Sequence, residues 1–165
     1  MCIFVALSGR HLLIISCSKT KNKQLRNDEE VKLPAIKGYD GKIFLTLRKA
    51  FREGLGHNVD VLIISAKYGL LEATDEISYY EERMTKQKAK ELRDEVLFKL
   101  KLIVSNGGNY RRIFVMLGKI YFEAIRGAST MTDIPIEVIQ MEKIGKAQQK
   151  LRNLLLRLTP QTAVS

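Results

Sequence analysis

The chain has 165 residues, 28 Lys plus Arg against 18 Asp plus Glu, and a formal net charge of +10 at neutral pH. Its 45% apolar content can fill the core of one domain, which excludes a disordered chain, and the charge directs attention to polyanions, nucleic acid before membrane. Two cysteines, Cys2 and Cys17, exclude a disulfide framework, and the apolar start (1–7) is too short to span a membrane and lacks a basic leader, so a cytoplasmic protein without structural metal is expected.

In chain order, residues 12–16 (LLIIS) predict a first buried strand, followed by a polar stretch, 19–32. Residues 42–55 have helical spacing, with Ile43, Phe44, Leu47, Ala50 and Phe51 on one face and Gly54 and Gly56 at the end. A second strand is predicted at 61–65 (VLIIS), then an irregular stretch, 72–84. Thr85 is placed to cap a long helix with Ala89, Leu92, Val96, Leu100, Ile103 and Val104 inward, ending at Gly107 and Gly108. A third strand at 113–117 (IFVML) leads past Gly118 into a short helix with Ile120, Tyr121, Ala124 and Ile125 inward. A fourth strand at 136–140 (IEVIQ) precedes a helix after Gly145 with Ala147, Leu151, Leu154, Leu155 and Leu158 inward; Pro160 ends it and leaves 160–165 as a frayed tail.

This alternation predicts one α/β domain over residues 1–165, a three-layer α/β/α arrangement around a mainly parallel four-stranded sheet, with 1–10 as an extension. Loops after strand C-termini form the ligand crevice of such a sheet, which singles out those after Ser16, Ser65 and Leu117.

The first two strands share an ending: LIISCSK (13–19) and LIISAK (62–67) both close in serine and then present lysine. On neighbouring strands, Lys19, Lys21 and Lys67 would face one crevice with Ser16, Ser18 and Ser65, donors suited to phosphate or carboxylate. Pro34, Ala35, Tyr39, Gly41, Phe44 and Arg48 lead into the first helix, where Gly41 and Lys42 offer backbone N–H groups to an anion. After the second strand come Tyr68, Gly69, Glu72, Tyr79, Tyr80, Glu81 and Met84. Rings beside cations can stack on bases, and Glu72 or Glu81 can serve as acid or base.

Cys17 has no histidine within reach, because His11 belongs at the opposite end of its strand and His57 precedes the second strand; a Cys–His nucleophile is not expected. The sequence contains no P-loop, GxGxxG or HExxH motif, and no cofactor is expected. The final helix region carries Lys143, Lys146, Lys150, Arg152 and Arg157 against Glu142 alone, and Gly145 permits close approach of a phosphate.

Taken in order, SCSKTK (16–21), LPAIKGYDGKIFLTLR (33–48) and VLIISAKYGLLEATDEISYYEERM (61–84) resemble the YaaA peroxide-stress family and, more distantly, the lysine-transferring domain of archaeosine synthase. The YaaA-like segments Ser-Pro-Ala-Lys-Thr, Pro-Ala…Gly…Tyr-x-Gly and Leu-Ser-x-x-Tyr-Gly-x-Leu, the last ending in Tyr and Met, have counterparts here. These are Ser16, Lys19 and Thr20; Pro34, Ala35 and Gly41; and Ser65, Tyr68, Gly69, Leu71, Tyr80 and Met84. Cys17 and Lys21 match the Cys and Lys of the archaeosine-synthase motif, with Ser16 in place of its Pro and Lys23 in place of its Tyr.

The resemblance implies a fold similar to uracil-DNA glycosylase and a nucleic-acid or nucleobase ligand. Two functions follow as expectations. One is a nucleic-acid-binding protein linked to DNA protection or RNA modification, with Lys19, Lys21, Lys67 and Arg48 on phosphate and Tyr68 or Tyr80 on a base. The other is an enzyme acting on a nucleobase, nucleoside or modified nucleotide, of the tRNA-modification-transferase or glycosylase kind. It would use Lys19, Lys21 or Lys67 as electrophile or nucleophile and Glu72 as acid or base. A deep pocket holding a buried lysine favours the enzyme; a shallow basic groove favours binding alone.

Overall fold

A computed structural model describes residues 9–106 and 109–160. Strand β1 (Arg10–Ser16) lies at its centre, with Leu13 and Ile15 buried on one side and Leu12 and Ile14 on the other. Large aliphatic side chains on both sides of a pleat are stable only between two covering layers. β3 (Val59–Ser65) and β6 (Tyr110–Met116) flank β1 in parallel, β7 (Ile136–Val138) continues in parallel beyond β6, and β4 (Gly69–Glu72) forms the other edge, antiparallel to β3. The sheet therefore has five strands and is mixed, where four were expected. The tight turn at 66–68 folds the short GLL run straight back onto β3, pairing Gly69 with Ser65 and Glu72 with Leu62. A separate ribbon pairs β2 (Leu33–Pro34) with β5 (Glu76–Ile77).

Two short helices, α1 (Lys23–Asn27) and α2 (Ala35–Gly38), occupy the stretch between β1 and the longer α3 (Lys42–Arg52). α3 packs beside α5 (Ile144–Leu158), and both cover the Leu13 and Ile15 side with Ile43, Phe44, Leu47 and Ala50 and with Ala147, Leu151, Leu154 and Leu155. The opposite side is covered by α4 (Lys86–Ser105), whose Thr85 cap accepts from the Lys88 amide at 3.0 Å. Ala89, Val96 and Leu100 bury its stripe against the sheet.

The stretch after Gly118 is a 3-10 helix (Lys119–Ile125) and not an α-helix. With three residues per turn, Tyr121 and Ala124 align inward, while Ile120, expected inward, is 46% exposed. β1 begins at Arg10, so the expected extension is shorter, and α5 begins at Ile144, placing Gly145 in its first turn. Residues 1–8, the expected helix end at Gly107 and Gly108, and the tail at 161–165 lie outside the described residues. No helix among the described residues is long and apolar enough to cross a membrane.

Register decides where the repeated ending places its side chains. Ser16 pairs with Ile64, so the two LIIS runs are offset by one residue. A one-residue offset reverses the face. Ser16 therefore shares the α4 side and accepts from the Gly118 amide at 3.4 Å, whereas Ser65 shares the α3 side and packs among tyrosines. The two serines do not face one crevice.

Gly69, read from the sequence as a ligand contact, instead serves the β3–β4 turn: its φ is +73°, and an added Cβ would lie 3.3 Å from the Glu95 carboxylate. Gly69→Ala is expected to cost about 1–2 kcal/mol of folding stability, read by urea unfolding, without changing ligand retention.

Candidate functional site

The loop that leaves β1 is pinned to the segment preceding α3. The Asn22 amide donates to Gly38 O at 2.8 Å, the Asp40 amide donates to Thr20 O at 2.9 Å, and Lys21 and Tyr39 form a β-bridge between them. Ser18 Oγ donates to Thr20 O at 2.6 Å and accepts from the Gly41 amide at 3.1 Å. A Cβ at Gly41 would stand 2.6 Å from Ser18 Cβ, so this approach requires glycine. The Gly41 amide, expected to be free for an anion, is therefore occupied by Ser18.

Arg48 has the same internal role. It donates to Ile36 O at 2.8 Å and Tyr39 O at 2.7 Å and pairs with the Asp40 carboxylate. Its expected phosphate contact gives way to a brace: α3 holds 36–40, and 36–40 holds the loop bearing Lys21.

Lys21 is only 3% exposed. Its Nζ lies 4.1 Å from the Tyr80 ring centroid, with the Tyr79 and Tyr39 rings at 5.9 and 6.0 Å. Its hydrogen bond among the described residues goes to Lys19 O at 3.3 Å, which leaves two of the three ammonium donors without a protein acceptor there. Burial pushes the Lys21 amine below the ordinary lysine value, against the partial opposition of Cys17 and Glu81.

Behind Tyr80 lies a closed triangle of hydroxyls. Tyr39 Oη and Tyr80 Oη are 2.5 Å apart, and Ser65 Oγ lies 3.2 Å from the first and 2.9 Å from the second. Each hydroxyl can donate once and accept once around this ring, and Ser65 also accepts from the Lys67 and Tyr68 amides. Burial raises the Tyr39 and Tyr80 phenols well above the ordinary range, so both stay protonated. Tyr80 is thus fixed from behind, with Lys21 over its ring and Tyr68 edge-on at 5.5 Å, and does not present a free stacking face.

The loops line a partly open cavity of about 400 Å³ at the C-terminal edge of the sheet. Cys17, Ser18, Lys19 and Lys21 come from the β1 loop, residues 79–84 from the segment before α4, and Tyr121 from the 3-10 helix. Cys17 Sγ lies 3.2 Å from Tyr121 Oη, a phenol that burial also raises. Glu81 accepts from Tyr79 Oη at 2.7 Å. The charge of the lining is mixed, with Lys19, Lys21 and Arg83 against Glu81 and Glu82.

Several expected site residues lie elsewhere. Glu72 is exposed on β4, paired with Leu62 and well back along the strand from Ser65; the carboxylates at the cavity are Glu81 and Glu82. Lys67 is exposed beside the Tyr68 ring at 5.3 Å and approaches the Tyr80 ring to 5.8 Å, but it does not line the cavity described above. Burial raises the Tyr68 phenol, but hydrogen bonding with Ser78 and the Lys67 charge outweigh this and leave it below the usual tyrosine value. Pro34 sits in β2 and caps α2, the Thr20 carbonyl serves the loop ladder, and the Gly118 amide serves Ser16. Gly145 has open space around it, so no close packing there demands glycine.

Tyr121, Glu82 and Arg83 line the cavity without being site residues that the sequence singles out. Tyr121 lies three residues past Gly118, in a loop already singled out by topology, and that was the available signal. His11 and His57 lie by the N-terminal ends of β1 and β3, away from Cys17. Among the described residues, no cluster of three His, Cys, Asp or Glu could hold a metal ion.

Because the folded Lys21 releases its proton below the unfolded value of 10.5, burial of its charge penalises the fold at neutral pH, and this penalty fades as pH rises toward the unfolded value. Urea unfolding of wild type and Lys21→Met at about pH 7 and about pH 10 is expected to show wild type gaining relative to the variant. A pH-independent difference would contradict the burial of this charge.

The solved structure of AF0587, a protein of unknown function, is similar in fold over 98% of this chain, with a TM-score of 0.56 and 12% identity. The match takes in 52% of AF0587, so this chain spans about half the length of that protein. No curated protein matches the sequence. A family model matches residues 12–153, and the chain therefore belongs to a family of unknown function, DUF6884.

Proposed function

We propose that the chain is an enzyme acting on a nucleobase, nucleoside or modified nucleotide, on a fold of the uracil-DNA-glycosylase kind related to the YaaA proteins and the archaeosine-synthase lysine-transfer domain. The observation that carries this reading is the placement of Lys21: an amine withdrawn from solvent, lowered in basicity, and facing a cavity with donors to spare. Buried ionisable groups that line clefts are candidates for reactive sites. The cavity volume of about 400 Å³ falls within the roughly 300–1,000 Å³ of small-molecule sites.

As an ammonium, Lys21 donates to an oxygen or nitrogen that gains negative charge in the transition state. As a neutral amine, made more abundant by its lowered basicity, it is a nucleophile. Glu81, close enough to act on Lys21 electrostatically and oriented by Tyr79, is the available proton acceptor. Tyr79 and Tyr121 supply aromatic walls for a planar ligand, and the Cys17–Tyr121 pair supplies a polar edge. A wholly basic groove would have favoured binding alone, but this lining is mixed in charge and holds a buried lysine.

The test is mass spectrometry of small molecules and nucleic acid fragments that co-purify with the native protein. Wild type and Lys67→Met are expected to retain the same base or nucleoside, and Lys21→Met to lose it while melting cooperatively. Equal retention by a folded Lys21→Met protein would overturn the reading.

A further inference from the structure

The positive charge of the chain is distributed unevenly between its two helical layers. α3 carries Lys42, Arg48, Lys49 and Arg52 and α5 carries Lys146, Lys150, Arg152 and Arg157, with no acidic residue in either helix. α4, on the other side of the sheet, alternates its cations with Glu91, Asp94 and Glu95. Within the α3–α5 layer, Arg48 is turned inward to Asp40 and Arg152 pairs with Glu53. The remaining six cations have no carboxylate partner within 4.0 Å among the described residues.

The two helices are adjacent and run in the same direction. Both follow parallel strands and return across one face of the sheet, and Gln148 of α5 donates to Lys42 O and Thr46 Oγ1 of α3. Lys42, Leu45, Lys49 and Arg52, spaced three and four residues apart, form the exposed stripe of α3. Lys146 and Arg157 mark the two ends of the exposed face of α5. The axes of neighbouring helices lie about 8–10 Å apart, and α3 is about 16 Å long at 1.5 Å per residue. The Lys146 and Arg157 row of α5 lies on the side away from α3, beside β7, where Lys150 donates to Gln140 O and lines a pocket with Arg157 and Glu137.

We infer that this face docks a nucleic-acid duplex through its phosphates. The inference rests on the cavity reading above, to which it adds the carrier: the base offered to Lys21 belongs to a polymer held on the adjoining α3–α5 face. α3 starts at Gly41, bonded to the cavity residue Ser18, so the face and the cavity share a border.

Other polyanionic surfaces fit less well. A helix that lies on a membrane inserts its apolar side, but the apolar sides of α3 and α5 are already buried against the sheet. Single strands bind by stacking on aromatic rings, whereas the large apolar residues exposed on these helices, Leu45, Ile144 and Leu156, are aliphatic. Duplex backbone binding needs only cations in rows.

The experiment compares wild type with two charge-matched variants. Lys49→Glu, Lys146→Glu and Arg157→Glu together alter the α3–α5 face, and Lys86→Glu, Lys90→Glu and Lys101→Glu together alter α4. Each triple lowers the formal charge by six from +10. Binding is read by anisotropy across a salt series with labelled 20-base-pair duplexes of DNA and of RNA, a 20-nucleotide single strand, and anionic lipid vesicles. Wild type is expected to bind a duplex with steep salt dependence. The α3–α5 triple should lose on the order of 100-fold in affinity, and its log–log slope should fall by about 3.

The α4 triple should keep wild-type duplex binding. Equal losses in both triples would mean net charge alone is at work and would overturn the inference, as would preference for the single strand or the vesicles. A folded α3–α5 triple that loses the duplex but keeps the ligand co-purifying with wild type separates this surface from the cavity. Duplex binding by the folded Lys21→Met protein does so in the other direction.

Discussion

The site depends on holding an ammonium group where water scarcely reaches it. Removing such an ion from water costs several kcal/mol even after relaxation. The Tyr80 face returns about 2 kcal/mol in a desolvated setting, and the hydrogen bond to Lys19 O adds to this. The protein holds Lys21 in place through a succession of supports. Arg48 ties down 36–40, that segment forms a ladder with 18–22, and the Ser65–Tyr39–Tyr80 triangle fixes the ring beneath the amine. Groups used in this way cost stability and make sense as preparation for a ligand that supplies the missing acceptors.

The same supports connect the site to the sheet. Ser65 ends β3 on the α3 side because β1 and β3 are offset by one residue, and that offset also places Cys17 level with Ser65 at the edge of the sheet. Ser16, turned to the other side, binds the Gly118 amide and draws the β6 loop, with Tyr121, against the first loop. The cavity thus forms where connections leave β1 and β6 in opposite directions, the place at which open α/β sheets bind ligands. The basic α3–α5 layer borders it but supplies little of its lining, so local chemistry and long-range attraction are assigned to different surfaces.

Much of the scaffold was legible in the sequence. Runs such as 12–16 and 61–65 are too apolar on both faces for anything except the inside of a covered sheet, and the stripes of α3, α4 and α5 appear at helical spacing with their caps. The strand β4 was hidden by its brevity and by the tight turn before it. The sequence offers Lys19, Lys21 and Lys67 as equivalents because burial is a property of the completed fold: nothing in SCSKTK or SAK distinguishes a lysine under a tyrosine ring from two in water. Arg48 and Gly41 were read toward a ligand for a related reason. Their partners, two carbonyls and a serine hydroxyl, are brought to them by chain segments far away in sequence, and neither spacing nor composition encodes that meeting. The one-residue register between two identical LIIS runs was equally invisible, although it decides which side each serine faces.

The most direct measurement is an NMR titration of the lysine amines in isotopically labelled protein, with Lys21 assigned by the signal missing from Lys21→Met. One amine, that of Lys21, should titrate below the ordinary lysine value of 10.5 and move when the co-purified base or nucleoside is added back. If every lysine amine titrates together at the ordinary value and none responds to that ligand, Lys21 is a solvated surface group and the cavity is not a reactive site.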